Sequence, residues 1–363
     1  MSGDVIFANP SSQHTDGKQA RKSINQSKSF INEYYSVKET DYSLYFHSGA
    51  TEGLNTVIHH FVMRSENEKR PLILAYAQGD HPAVVETCKF YQKAIPFILK
   101  RDSHGDYLHD ENFKELLELQ RKHPTALILY NHLWVHNEIG VVSLLSEIRR
   151  FKQIPDLFIN VDAVQSVGKF HQYRDLDPVV DFYTFSAHKF GALKGIGFSF
   201  IKAGTILSPL VFGGGQQGRV RSGTENAMGV HSIRLALEDM SNKDLAGLGV
   251  LKDELVEFLR VELKDKGGLV GEKALHRSFN TIYFYFNKLT SDIALAMFDV
   301  SGVEISAGSA CSSGTAKDSE ILLSLGLSHV SKNGLRISLG PDFSRDQLQT
   351  LMKALSEIFK RVP

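Results

Sequence analysis

An α/β fold is predicted for this chain: a large domain with a mainly parallel sheet flanked by helices, then a smaller C-terminal α+β domain. Three observations predict it. Short apolar, β-rich runs alternate with amphipathic stretches through the first two thirds, which implies parallel strands joined by right-handed crossovers. Runs such as Leu72-Ile-Leu-Ala-Tyr76 are apolar throughout, as strands covered on both faces are. Beyond a long helical stretch the pattern changes, and two strands flank a loop of tiny residues.

The predicted strands of the large domain are Ser43–Phe46, Leu72–Tyr76, Ala126–Tyr130, Leu157–Val161, Phe182–Phe185 and Gly197–Ile201. Between the first two, Leu54, Val57, Ile58, Phe61 and Val62 recur at helical spacing. Met228 to Leu263 reads as one longer helical segment. Asn280–Phe286 and Gly334–Leu339 read as strands around a loop from Glu304 to Ala316. Ser344 to Val362 reads as a final amphipathic helix with Ser344 as its N-cap. The expected division is a large domain over 1–241 and a small one over 242–363.

The 363 residues suffice for two domains and a large core. Lys+Arg and Asp+Glu both count 41, so no overall basic field for nucleic acid is expected and no acidic tail. No apolar run is long enough to span a membrane. The start, Met1-Ser-Gly-Asp-Val-Ile, lacks the charged and apolar regions of a signal peptide. Two cysteines, Cys88 and Cys311, exclude a disulfide framework and fit a reducing compartment, so a cytoplasmic location is expected. No Cys/His cluster has metal-site spacing, and no metal is expected. No internal repeat stands out.

The run Asp181-Phe-Tyr-Thr-Phe-Ser-Ala-His-Lys189 brings a Ser, a His and a Lys together at a glycine-lined turn. A lysine held there, partly out of water, would have a depressed pKa and could form an imine with an aldehyde cofactor; an ordinary surface lysine is the alternative. Ser48-Gly-Ala-Thr-Glu-Gly53 lies between a strand and a helix. Its amides and the Thr51 hydroxyl could hold a phosphate, or it is a plain helix cap. Asp162-Ala-Val-Gln165 follows a strand, where ligands bind in parallel sheets. Asp162 could keep a pyridine nitrogen protonated, or cap a helix. Gln165, three residues on, could donate to the ring's phenolic oxygen.

His81 opens a helix after a strand, where an imidazole could stack on a flat cofactor and relay protons, or simply start the helix with no such job. Asn137 follows another strand end and is ambiguous alone. The stretch Phe212 to Asn226 is glycine-rich with two arginines, and could bind phosphate or carboxylate. Gly308-Ser-Ala-Cys-Ser-Ser-Gly314 places Cys311 among tiny residues, as an accessible nucleophile or as a small residue in a tight turn. Cys88, inside an amphipathic helix, reads as structural. Arg336 stands in an otherwise apolar strand. Either a substrate carboxylate or a structural salt bridge would explain it.

Taken together these motifs resemble the pyridoxal-phosphate cysteine desulfurases, within the class V aminotransferases of fold type I. The ordered motifs are Ser-Gly-Ala-Thr-Glu, His81, Asn-Glu-Ile-Gly, Asp-Ala-Val-Gln-Ser, Ser-Ala-His-Lys, Arg-Ser-Gly-Thr-Glu-Asn, Gly-Ser-Ala-Cys and Arg-Ile-Ser-Leu-Gly. The match runs from Asn9-Pro-Ser-Ser-Gln-His14 to the end, and the Gly-Ser-Ala-Cys form is similar to the group with a long mobile cysteine loop. The resemblance implies that Lys189 holds pyridoxal phosphate as a Schiff base. It implies that Asp162 pairs with the pyridine nitrogen, Gln165 with the phenolic oxygen, and that His81 stacks on the ring with Asn137 beside it. Ala50, Thr51, Ser186 and His188 would bind the phosphate, with Thr224 reaching the partner subunit's phosphate. Arg336, with Asn137, would take the substrate carboxylate, and Cys311 would be the nucleophile.

The implied activity is a homodimeric cysteine desulfurase. It would convert L-cysteine to L-alanine and leave a persulfide on Cys311 for a sulfur-acceptor protein, either an iron–sulfur scaffold or a thiolation enzyme. Family members usually begin with a strand holding an Asn-Ala-Ala-Thr-Thr-Pro-like run and a helix. Here the resemblance starts near Phe7-Ala-Asn-Pro, so about thirty-five residues of that segment are expected to be absent. A selenocysteine lyase-type enzyme, a degenerate scaffold and a partner-dependent enzyme are the alternatives.

Overall fold

The computed structural model describes residues 7–308 and 317–362. In chain order the large sheet and its helices are α1 (Thr15–Tyr34), β1 (Tyr42–His47), α2 (Ala50–Glu68), β2 (Leu72–Ala77), α3 (Pro82–Phe90), β3 (Ile95–Leu99), α4 (His109–Lys122), β4 (Leu127–Leu133), α5 (Leu145–Ile148), β5 (Leu157–Asp162), β6 (Phe182–Ser186), β7 (Gly197–Lys202) and α6 (Ala227–Met240). There follow α7 (Leu245–Glu262), β8 (Gly267–Val270), β9 (Thr281–Phe286), α8 (Ser291–Val300), β10 (Ser306–Ala307), α9 (Glu320–Ser324), β11 (Gly334–Ser338) and α10 (Arg345–Phe359).

The large sheet has the order β1-β7-β6-β5-β4-β2-β3. From β3 to β6 every pairing is parallel; β7 runs antiparallel to both β6 and β1. Alternation along each strand loads both faces. In β2, Ile73, Ala75 and Ala77 join one core with Tyr130, Tyr183 and Phe198. Leu72, Leu74 and Tyr76 join the other, under Leu54, Val57, Ile58 and Phe61 of α2. Each of the larger aliphatic side chains and phenylalanines here, fully buried, contributes about 1.5–3 kcal/mol. The second sheet, β10-β11-β9-β8, is antiparallel throughout. Its core gathers Leu255, Leu259, Phe284, Phe286 and Phe359 between the sheet, α7 and α10.

Three features differ from expectation. The segment from Met228 to Leu263 is two helices, α6 and α7, with the break at 241–244. Asp244 accepts from the Gly247 amide at 2.9 Å and starts a fresh helix there. The helix α1 was not expected, because its composition is polar; its buried stripe, Ala20, Ile24, Ser27, Ile31 and Tyr34, is narrow. The strand β3 contains Pro96 and pairs only with β2, the edge position where proline's missing N–H does little harm. At the C-terminus, Ser344 caps α10 in a reciprocal pair with Gln347.

Candidate active site

Parallel strands deliver their following turns to one edge of the sheet. Asp162 is the last residue of β5, and Ser186 the last of β6. His81 follows β2, Asn137 follows β4, and Ala50 opens α2 after β1. His188 and Lys189 sit in the 3-10 turn Ala187–Phe190 directly after β6. Gly191 ends that turn at φ 99°, a left-handed conformation that suits glycine.

Charge ties these turns together. Asp162 is buried, and its Oδ1 accepts from the Val164 amide at 3.0 Å. No helix follows, so the local helix-cap alternative is not met. Burial pushes the carboxyl up to about 7, and Asp80 adds to the rise against Lys189. Lys189 is exposed, yet desolvation of its ammonium lowers its pKa, Arg336 lowers it further, and Asp162 opposes them. His81 accepts from the Ala83 amide through Nδ1 at 3.1 Å, which caps α3 and leaves Nε2 to carry the proton of the neutral ring. Desolvation, then Lys189, keeps that ring's pKa low.

Lys169 belongs to this cluster and was not foreseen. Its Nζ donates to Gln165 Oε1, one helical turn's spacing earlier. Burial, then Lys189 and Arg336, pushes its ammonium down to about 7. The available signal was a lysine in the otherwise small and apolar run Ser166-Val-Gly-Lys-Phe170.

The turn before α2 has no side-chain cap, so the amides of Ala50 and Thr51 have no intrahelical acceptor. Ser186 Oγ lies 3.0 Å from His188 Nδ1. Glu52 accepts from the Ser48 amide at 2.8 Å and from Arg221 Nε at 2.9 Å, which ties the glycine-rich loop to this turn. Thr224 stands exposed three residues beyond Arg221. Gln217, in the same loop, pairs its amide with the Phe46 N–H at 2.6 Å and the Phe46 C=O at 2.8 Å, as a strand neighbour would.

Arg336 lies on β11, opposite Tyr283 on β9 and Ser306 on β10. Its guanidinium donates to the Asn137 carbonyl at 2.8 Å. Its Nε is buried without a partner, as is Asn137 Oδ1, among the described residues. No carboxylate reaches salt-bridge distance of Arg336 among those residues, so the structural ion-pair alternative is not met there. Cys311 lies outside the described residues. Cys88 is buried in α3, and burial pushes its thiol up to about 12.

This donor set fits pyridoxal phosphate. A buried carboxyl at a strand end suits a pyridinium, free helix-start amides suit a phosphate, and a lysine of lowered pKa suits an aldehyde. The unpartnered Arg336 Nε and Asn137 Oδ1 leave polar capacity for an amino-acid substrate. Among the described residues no group of three His, Cys, Asp or Glu side chains is placed to hold a metal ion, and no helix is long and apolar enough to cross a membrane.

Comparisons with known proteins agree. The family model for class-V aminotransferases matches residues 5–351. Cysteine desulfurase IscS of Dictyoglomus turgidum is 30% identical over 364 residues, covering 98% of this chain and 88% of the relative. A cysteine desulfurase of Nostoc sp. is 31% identical over 367 residues, covering 98% and 87%. Among solved structures, a NifS-like protein superposes with TM-score 0.84 at 24% identity, over 98% of this chain and 92% of that one, and shares the fold. A structure described as SspA in complex with cysteine superposes with TM-score 0.75 at 25% identity, over 93% and 92%. The chain belongs to the class-V aminotransferases, among the relatives of the cysteine desulfurases, and is a pyridoxal-phosphate enzyme.

Proposed function

We propose that this enzyme converts L-cysteine to L-alanine and leaves the sulfur as a persulfide on Cys311 for transfer to an acceptor protein. The acceptor would be an iron–sulfur scaffold or a nucleic-acid thiolation enzyme. The observation that carries the reading is Arg336, a half-buried guanidinium with an unpartnered Nε, held by the Asn137 carbonyl and close enough to depress Lys189. Burial of that kind suits a bound carboxylate.

Bound pyridoxal phosphate supplies an electron sink for the charge left when the substrate loses its Cα proton. Asp162 holds the proton at the ring nitrogen. The Gln165 amide, with its oxygen turned to Lys169, has its NH2 free for the phenolic oxygen. Ala50, Thr51, Ser186 and His188 hold the phosphate, and Thr224 reaches the partner's. His81 stacks on the ring, and Lys189, of lowered pKa, takes the Cα proton at Nζ. Arg336 and Asn137 orient the substrate carboxylate. The Cys311 thiolate attacks the substrate sulfur. The carbon–sulfur bond breaks and its electron pair stays on Cβ. Two protons complete alanine, one added at Cβ to match the proton the substrate thiol gives up, and one returned to Cα from Lys189 Nζ.

A division into a large domain over 1–241 and a small one over 242–363 is supported by the break between α6 and α7. A homodimer fits the exposed apolar side chains Ile206, Leu210, Val211 and Phe212, which lead into the loop that holds Thr224. A thiol nucleophile fits a reducing, cytoplasmic setting.

The test is alanine and sulfide release from L-cysteine with a reductant, for wild type, Lys189→Ala and Cys311→Ser, with the visible absorbance of bound cofactor recorded alongside. Lys189→Ala should lose the wild-type absorbance and turnover. Cys311→Ser should keep the absorbance and lose sulfide. Full activity in Cys311→Ser would favour a selenocysteine lyase-type enzyme instead.

A further inference from the structure

We infer that Glu138, Tyr283 and Ser319 form a clasp on the two roots of the segment that carries Cys311, and act as positioning residues for sulfur transfer. This rests on the desulfurase reading above, which gives none of the three a role.

One carboxylate oxygen is the centre of the clasp. Glu138 Oε2 accepts from Tyr283 Oη at 3.2 Å and from Ser319 Oγ at 3.3 Å, and the two hydroxyls lie 3.4 Å apart. Ser319 stands at one root of the segment. At the other root, Gly308 lies so flat on the clasp that a Cβ there would collide with Tyr283 Oη and Glu138 Oε2. Gly334, on β11, meets the same phenol from another side. Backbone bonds fix both roots as well: the Gly308 amide donates to the Gly334 carbonyl at 3.2 Å, and the Ser319 amide to the Ser331 carbonyl at 2.8 Å.

The clasp touches the substrate site on two sides. Glu138 follows Asn137, whose carbonyl takes Arg336, and Arg336 lies opposite Tyr283 in the β9–β11 register. Beyond Ser319, Glu320 accepts from Gln78 Nε2 at 2.9 Å, and Ile321 packs on Gly79. Those contacts reach the turn that presents His81. Fixing both ends of a chain segment narrows the volume its nucleophile must search, so the roots govern the rate of attack more than the binding of substrate. A hydrogen-bonded carboxylate is the strong form of such a tie.

The experiment uses the cofactor-loaded enzyme and the variants Tyr283→Phe and Ser319→Ala, which remove one hydroxyl each from different elements. Two quantities are read after mixing with L-cysteine: the change in cofactor absorbance, which reports substrate binding, and the rate at which the peptide carrying Cys311 gains a sulfur. The expected result is an unchanged absorbance response with persulfide formation slowed about tenfold in each variant, the fold-change of one hydrogen bond to a charged group. Glu138→Gln, which keeps an acceptor oxygen, should retain more of that rate than Glu138→Ala. Wild-type persulfide rates in both hydroxyl variants would overturn the clasp. So would equal loss of the absorbance response and the persulfide rate, which is what general damage to the site would give. A wild type that forms no persulfide on Cys311 would instead sink the desulfurase reading itself.

Discussion

Asp162→Asn removes a carboxyl that burial, helped by Asp80, moves from an ordinary 3.8 to about 7 in the cofactor-free chain. The gap of about three pH units corresponds to ~4 kcal/mol of linkage. The group is buried, so solvent takes little of this away. The sign follows from proton counts. Below the unfolded pKa both states hold the proton. Between 3.8 and about 7 the folded chain holds a proton that the unfolded chain has released, so rising pH favours unfolding. Above that range the contribution is flat. Asparagine has no proton to lose. In cofactor-free protein, the stability of Asp162→Asn relative to wild type should therefore rise by up to ~4 kcal/mol as pH goes from about 4 to about 8. Urea unfolding of both proteins across that range measures it. In the loaded enzyme a protonated ring nitrogen favours the carboxylate, and the pH dependence should shrink. A difference between the two cofactor-free proteins that does not change with pH would refute the reasoning.

Arg101 and Asp80 form an ion pair at 2.7 Å with both side chains 3% exposed, beneath the turn of His81. Arg101→Leu should cost about 3–5 kcal/mol by leaving Asp80 buried and unpaired. Adding Asp80→Asn should recover part of the lost melting temperature. Lys169 titrates with the opposite sign to Asp162. Between about 7 and 10.5 the unfolded chain holds a proton the folded chain lacks, so rising pH favours folding there, and Lys169→Met should flatten that alkaline gain in thermal melts. Gln217→Ala frees the Phe46 N–H and C=O at the edge of β1. It should cost about 1 kcal/mol in denaturant unfolding and speed loss of cofactor on dialysis, because the same loop ties to Glu52.

Most strands of the large sheet were legible because apolar runs such as Leu157–Val161 need both faces covered, which composition records directly. The turns after those strands were legible for the same reason: Asp162, His81 and Lys189 are polar residues placed where apolar runs stop. Three kinds of information were not local. The reversed direction of β7 is set by pairing, not by its own residues. The helix α1 hides a one-residue-wide stripe in a polar sequence. The break before Asp244 was readable in Ser241-Asn-Lys-Asp244, a run of cap and turn residues, but was masked by apolar spacing on both sides. In the site, Lys169 and Glu138 were missed because their meaning comes from burial and from partners far along the chain. Tyr283 lies 145 residues from Glu138, and no spacing rule joins them.

The most direct test of the central claim is a single turnover with L-cysteine, reading the peptide that carries Cys311 by mass and counting alanine in the same sample. The account predicts one added sulfur on Cys311 for each alanine formed, and neither product in Lys189→Ala. Alanine formed while Cys311 stays unmodified would contradict it.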